Sequence, residues 1–162
     1  MRHAMLTDTG NVREKNEDSM LLCEKEFGET QVLLAAGADG MGGLSHGERA
    51  SRYVTDYLRR WWDEEIEGKT VPPKIDHISD MLGFVIEKMQ SKLRQQAKQQ
   101  HTNMGTTLSL IFIVGESYII KQVGDSRIYL LSGKHCCQIT KDQTWCQQEV
   151  DAGRMDAAQA LV

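Results

Sequence analysis

The stretch that most constrains this chain is the apolar run Val32-Leu33-Leu34-Ala35-Ala36 and its ending, Ala38-Asp39-Gly40-Met41-Gly42-Gly43. The run is short and β-branched at its start, which predicts a buried strand. A carboxylate at the end of a buried strand points out of the sheet. Glycines after it let backbone carbonyls turn toward a hard cation. The same letters would also serve a plain Asp-Gly turn between strand and helix. The rest of the chain has to decide between the two.

Strand signals come first. Residues 2–8 read as a strand closed by the loop letters Asp8-Thr9-Gly10-Asn11. A charged loop, Val12 to Asp18, feeds a second strand, Ser19-Met20-Leu21-Leu22-Cys23, and Gly28-Glu29 turns into the strand that ends at Asp39. After the glycines the period changes. Ser45 and Glu48 have capping-box spacing, and Ala50, Tyr53, Val54, Tyr57, Leu58, Trp61 and Trp62 form a helical stripe fit to pack on a sheet. Gly68 and Pro72-Pro73 end that helix. A second carries Ile78, Leu82, Val85, Ile86, Met89 and Leu93 on one face and a polar end from Arg94 to Gln100. The short link predicts an antiparallel pair lying side by side.

The pattern then returns to β. Thr106 to Val114, Tyr118 to Val123, Arg127 to Leu131 and His135 to Ile139 are separated by Gly115-Glu116, Gly124-Asp125-Ser126 and Ser132-Gly133, which predicts an antiparallel meander. Gln143 to Ala152 reads as a short helix, with a last helical turn from Asp156 to the end. Strands, two helices, then strands define an α+β chain with helices packed on mainly antiparallel sheet.

Length and charge narrow the function classes. The 162 residues suit one domain. A formal charge of -4 argues against a general nucleic-acid binder, and it would repel a phosphorylated substrate unless cations were recruited locally. No apolar run approaches a membrane span and no signal-peptide core opens the chain, so the expected location is the cytoplasm. Cys23, Cys136, Cys137 and Cys146 form no C-x-x-C pair and read as reduced thiols.

Three acidic loci stand at strand ends or turns: Glu17 with Asp18, Asp39, and Asp125. Brought to one sheet edge they would repel one another unless Mg²⁺ or Mn²⁺ sat between them. Arg13 offers a planar fork suited to a phosphate dianion.

Taken in order, five segments resemble the metal-dependent serine/threonine phosphatases of the PP2C (PPM) family, in the bacterial form. They are Arg13-x-x-Asn16-Glu17-Asp18; Ala38 to Gly43 followed by Gly47-Glu48; Met104-Gly105-Thr106-Thr107; Gly124-Asp125-Ser126-Arg127; and Ile139 to Thr144. The resemblance implies an α-β-β-α sandwich, two mainly antiparallel sheets flanked by helices. It implies that metal-activated water hydrolyses phosphoserine and phosphothreonine in proteins, with no phosphoenzyme. Asp39 would bridge two Mn²⁺ or Mg²⁺ ions, the Gly40 carbonyl would complete one shell, and Glu17 would bind through water. Asp125 would help hold a third ion. With Asp18 beside Glu17, the candidate metal set is Glu17, Asp18, Asp39, Gly40 and Asp125. Arg13 would hold the substrate phosphate, Arg13 and Asp39 being the catalytic pair, and Thr107 and Ser126 would shape the site. The implied partner is a protein phosphorylated by a serine/threonine kinase, with neither nucleic acid nor membrane.

Three residues depart from the family pattern. Met41 stands where eukaryotic members carry a histidine, leaving the general-acid role to water. Leu44 and Gln143 replace polar or histidine residues, and His46 reads as a solvated loop histidine. The family domain also continues past Val162, to two later aspartates of the metal site. Residues 1–162 are therefore expected to be the N-terminal portion of a single phosphatase domain, incomplete at its C-terminus. An inactive fragment that binds a partner is the alternative. A nucleotide loop at Gly40-x-Gly42-Gly43 fits poorly, since no P-loop lysine follows.

Overall fold

The computed structural model describes residues 1–42 and 46–156. Gly43, Leu44, the expected cap Ser45 and the expected final helical turn beyond Asp156 lie outside the described residues.

Strand β1 (Asp18–Phe27) and strand β2 (Thr30–Met41) form a hairpin in which Phe27 faces Thr30. The two-residue loop puts Gly28 at φ 62°, a conformation that costs glycine nothing. The short β3 (Gly105–Thr106) pairs with the end of β2. Strands β4 (Leu108–Val114) and β5 (Ser117–Val123) complete an antiparallel sheet of order β1-β2-β4-β5. Register puts Leu34 between Cys23 and Phe112, and Ala36 between Leu21 and Leu110, so one sheet face is continuously apolar.

Helix α1 (His46–Trp62), a π-helical turn over Asp63–Glu67 and helix α2 (Ile75–Gln100) cover that face. Leu58 and Leu82 are fully buried, and Trp61 and Trp62 each place a ring 6.0 Å from Phe112. Each such aliphatic side chain contributes roughly 1.5–3 kcal/mol by burial, and Leu58→Ala would cost about 2–5 kcal/mol. The helices run antiparallel as expected: Arg49 Nη1 donates to Gln100 Oε1 at 3.1 Å at one end, and Trp61 and Met81 line one cleft at the other. From β1, the Lys25 ammonium donates to the carbonyls of Ile66, Glu67 and Lys69 and closes the π-helical turn.

Two local expectations differ from the structure. Residues 2–8 form no strand; Met1, His3, Met5 and Leu6 instead border an open cleft of about 470 Å³ on the uncovered sheet face, with Met20, Leu22 and Leu33. The meander also breaks. Ser109 Oγ donates to the Ser126 carbonyl at 3.1 Å, which folds the chain after β5 back onto β4. Among the described residues, strands β6 (Tyr129–Ser132) and β7 (His135–Gln138) then pair only with each other, as a second, two-stranded sheet. Helix α3 (Trp145–Asp151) follows, capped by Thr144, whose Oγ1 accepts from Gln147 N at 3.1 Å. Among the described residues no helix is long and apolar enough to cross a membrane.

Candidate metal centre

Antiparallel pairing gathers the acidic loci. The start of β1, the end of β2, the start of β4 and the turn after β5 all fall at one end of the main sheet. Asp18 and Asp39 are direct cross-strand partners. Their carboxyls lie within hydrogen-bonding reach, and Asp125 adds its charge nearby. Asp39 is exposed at the sheet's end, yet its carboxyl is held above the usual aspartate range. Partial desolvation contributes most, then the charges of Asp18 and Asp125, while Arg13 opposes them. Arg13 therefore sits in the field of the same cluster. Among the described residues no three His, Cys, Asp or Glu side chains are grouped as metal ligands; Asp18 and Asp39 form a pair, with Asp125 near it.

Backbone contacts fix the Asp39 strand end. Asp39 N donates to Thr107 Oγ1 at 3.0 Å, and Thr107 N and Thr106 Oγ1 donate to the Asp39 carbonyl at 2.9 and 3.0 Å. The Thr107 and Ser126 hydroxyls are 2.7 Å apart, tying this strap to the turn that carries Asp125. Thr107 and Ser126, expected to shape the site, thus both lie at the Asp39 strand end. Gln143 braces the same turn: its amide N donates to the Gly124 carbonyl at 2.9 Å and its side chain accepts from Gly124 N at 3.3 Å.

Gly40 is buried where α1 meets the sheet. A Cβ on it would lie 2.2 Å from the Gly47 carbonyl oxygen and 2.7 Å from that of Glu17, so no side chain fits. Gly40 N donates to the Glu17 carbonyl at 3.2 Å, and Glu17 Oε1 is 2.8 Å from where a Gly47 Cβ would stand. Glu17, Gly40 and the first turn of α1 therefore form one packed unit beside the Asp18–Asp39 pair. Met41 is exposed, and His46 opens α1 half-buried rather than in a solvated loop.

Sequence reading overlooked Ser51, Thr55 and Ser19. Ser51 Oγ donates to the Glu17 carbonyl at 2.6 Å, and the hydroxyls of Ser19 and Thr55 are 2.7 Å apart. The signal was available: Ser51 and Thr55 are spaced i, i+4, in line with Leu58 and Trp62 on the inward face of α1.

A buried-strand carboxylate paired across the ladder with a second, beside a glycine backbone cradle, is a hard-oxygen arrangement suited to a divalent cation. The profile of the protein phosphatase 2C family matches residues 11–146, and the chain belongs to that family. It is 30% identical to protein phosphatase PhpP of Streptococcus pneumoniae over 99% of this chain and 62% of PhpP. It is 35% identical to serine/threonine protein phosphatase PstP of Mycobacterium tuberculosis over 99% of this chain and 28% of PstP. Among solved structures, the Streptococcus agalactiae serine/threonine phosphatase superposes with a TM-score of 0.82 at 31% identity, over 96% of this chain and 62% of that one. The PstP catalytic domain in complex with two manganese ions gives 0.72 at 35% identity, over 94% and 60%. The chain thus spans about three fifths of PhpP and of these solved phosphatases.

Proposed function

We propose that residues 1–162 are the N-terminal portion of a single PP2C-type domain that hydrolyses phosphoserine and phosphothreonine in proteins with Mn²⁺ or Mg²⁺. The observation that carries this reading is the cross-strand Asp18–Asp39 pair, held against a backbone cradle that admits no side chain at Gly40. Two carboxylates set together, one of them, Asp39, with raised proton affinity, are a costly arrangement that a cation relieves. The manganese-bound PstP domain supports the choice of ion.

Asp39, Asp18, Glu17 and the Gly40 carbonyl would hold two ions, and Asp125 would help hold a third. All are hard oxygen donors, which fits the ions. When bound, such ions supply Lewis acidity, making water nucleophilic at neutral pH and neutralising phosphoryl charge. The chain's own work is binding and orientation. Arg13 would engage two phosphoryl oxygens through its fork. Thr107 and Ser126 hold Asp39 and the Asp125 turn at fixed separation. Water adds to phosphorus and gives up a proton to solvent, the bond from phosphorus to the serine or threonine oxygen breaks, and that oxygen takes a proton from solvent, since Met41 carries none. The substrates are products of serine/threonine kinases, met in the cytoplasm.

The test is phosphate release from a phosphothreonine peptide by the 162-residue chain with Mn²⁺, beside Asp39→Asn. Release by the wild type and its loss in the variant support the reading. Peptide binding without release by either protein favours the alternative, a binding module. Neither binding nor release contradicts both.

A further inference from the structure

Ser51 is fully buried and Thr55 nearly so, on the face of α1 that meets β1. A hydroxyl in a helix interior ordinarily bonds back to its own helix or reaches solvent. Ser51 has two carbonyls in reach: that of Glu48 at 3.1 Å in its own helix, and that of Glu17 at 2.6 Å just ahead of β1. One proton cannot serve both fully, and the shorter contact goes to Glu17. The Glu17 carbonyl also accepts from Gly40 N at 3.2 Å. It is thus a junction between α1, the residue preceding β1 and the end of β2.

The second contact lies one turn along. The Ser19 and Thr55 hydroxyls meet at 2.7 Å, with Thr55 Oγ1 also 3.1 Å from the Arg52 carbonyl, so Ser19 can donate to Thr55 and Thr55 to Arg52. The two contacts fall on Glu17 and Ser19, the residues on either side of Asp18. They fix the backbone from which Glu17 and Asp18 project.

We propose that Ser51, seconded by Thr55, is a positioning residue for the cation site. Its hydroxyl sets the Glu17 carbonyl, and through it the Gly40 amide and the carboxylates of Glu17 and Asp18. This rests on reading the sheet end as an Mn²⁺ site. Ser51 touches neither ion nor substrate; it acts through Glu17. Groups that orient metal ligands in this way typically govern affinity by about 10–100-fold.

The experiment is calorimetric titration of the 162-residue chain with Mn²⁺, comparing wild type, Ser51→Ala, Thr55→Val and Ile78→Val, with amide exchange at Gly40 followed in each metal-free protein. Ile78 is buried near the start of α2, away from the site, and controls for general loosening of the core. Ser51→Ala is expected to weaken Mn²⁺ binding about tenfold and to speed Gly40 exchange. Thr55→Val, which keeps the side-chain shape, moves both in the same direction, and Ile78→Val leaves Mn²⁺ affinity unchanged. Wild-type affinity in both hydroxyl variants, or an equal loss in Ile78→Val, overturns the positioning role while leaving the metal site standing. If Ser51→Ala does not fold, Thr55→Val decides alone. Absence of Mn²⁺ binding by the wild type overturns the metal-site reading and this inference with it.

Discussion

Gly40 and Gly47 meet backbone against backbone: a Cβ on Gly47 would fall 2.7 Å from the Gly40 carbonyl carbon and 2.8 Å from Glu17 Oε1. This contact joins the first turn of α1 to the strand end that carries Asp39. It explains why glycine stands inside a helix, where it is otherwise unfavourable.

Gly47→Ala separates propensity from packing. Propensity alone favours alanine in a helix by up to about 1 kcal/mol. The overlap with Gly40 involves backbone, which cannot swing aside, so a loss of about 1–3 kcal/mol is expected. Urea unfolding of the metal-free chain measures it. A midpoint equal to or above the wild type would show that α1 and β2 are not locked at this contact.

Asp39 gives a pH dependence of definite sign. Its native carboxyl holds a proton more tightly than an ordinary aspartate, through desolvation and then Asp18 and Asp125. A raised native value means that its contribution is most favourable below the ordinary range and is lost as pH rises through the native value. In the ion-free chain at pH 7, ionised Asp39 therefore costs stability, by no more than about 1 kcal/mol given its exposure. With a chelator present, Asp39→Asn should melt higher than the wild type at neutral pH, and the gap should shrink near about pH 3, where both side chains are neutral. A variant less stable than wild type at pH 7 would contradict the electrostatic account.

The thiols divide by burial. Cys23 is buried against the helices and its thiol is pushed up to about 11, chiefly by burial. Cys136 and Cys137 are exposed on β7. Alkylation at about pH 8, read by mass spectrometry, should label both exposed thiols in the folded chain and reach Cys23 only after unfolding. Early labelling of Cys23 would mean that the sheet under α1 is open.

The helices and the main sheet were legible because their signals are local: the stripe from Ala50 to Trp62, the run from Thr106 to Val114, and Gly28 or Gly115 at two-residue turns. Asp39 could be placed at a strand end for the same reason. Its pairing with Asp18 follows from the Gly28-Glu29 turn, which fixes the register of β1 and β2. What was not legible depends on distant partners. Residues 2–8 have strand-like letters but no ladder partner, so Met1 to Leu6 lie along the sheet face instead. The turn at Gly124 to Ser126 reads as a meander reversal, yet the Ser109 and Thr107 hydroxyls draw it across β4. The inward placement of Ser51 is legible from its spacing with Thr55, but its partner, a backbone carbonyl 34 positions earlier in the chain, is not.

The central claim is that Asp39, with its neighbours at the sheet end, holds a divalent cation. The most direct measurement is the melting temperature of the 162-residue chain at pH 7 with and without Mn²⁺, beside Asp39→Asn. The account predicts that Mn²⁺ raises the wild-type melting temperature in a concentration-dependent way, as a ligand of the native state must, and leaves the variant unmoved. Equal shifts in both proteins, or none in either, would contradict it.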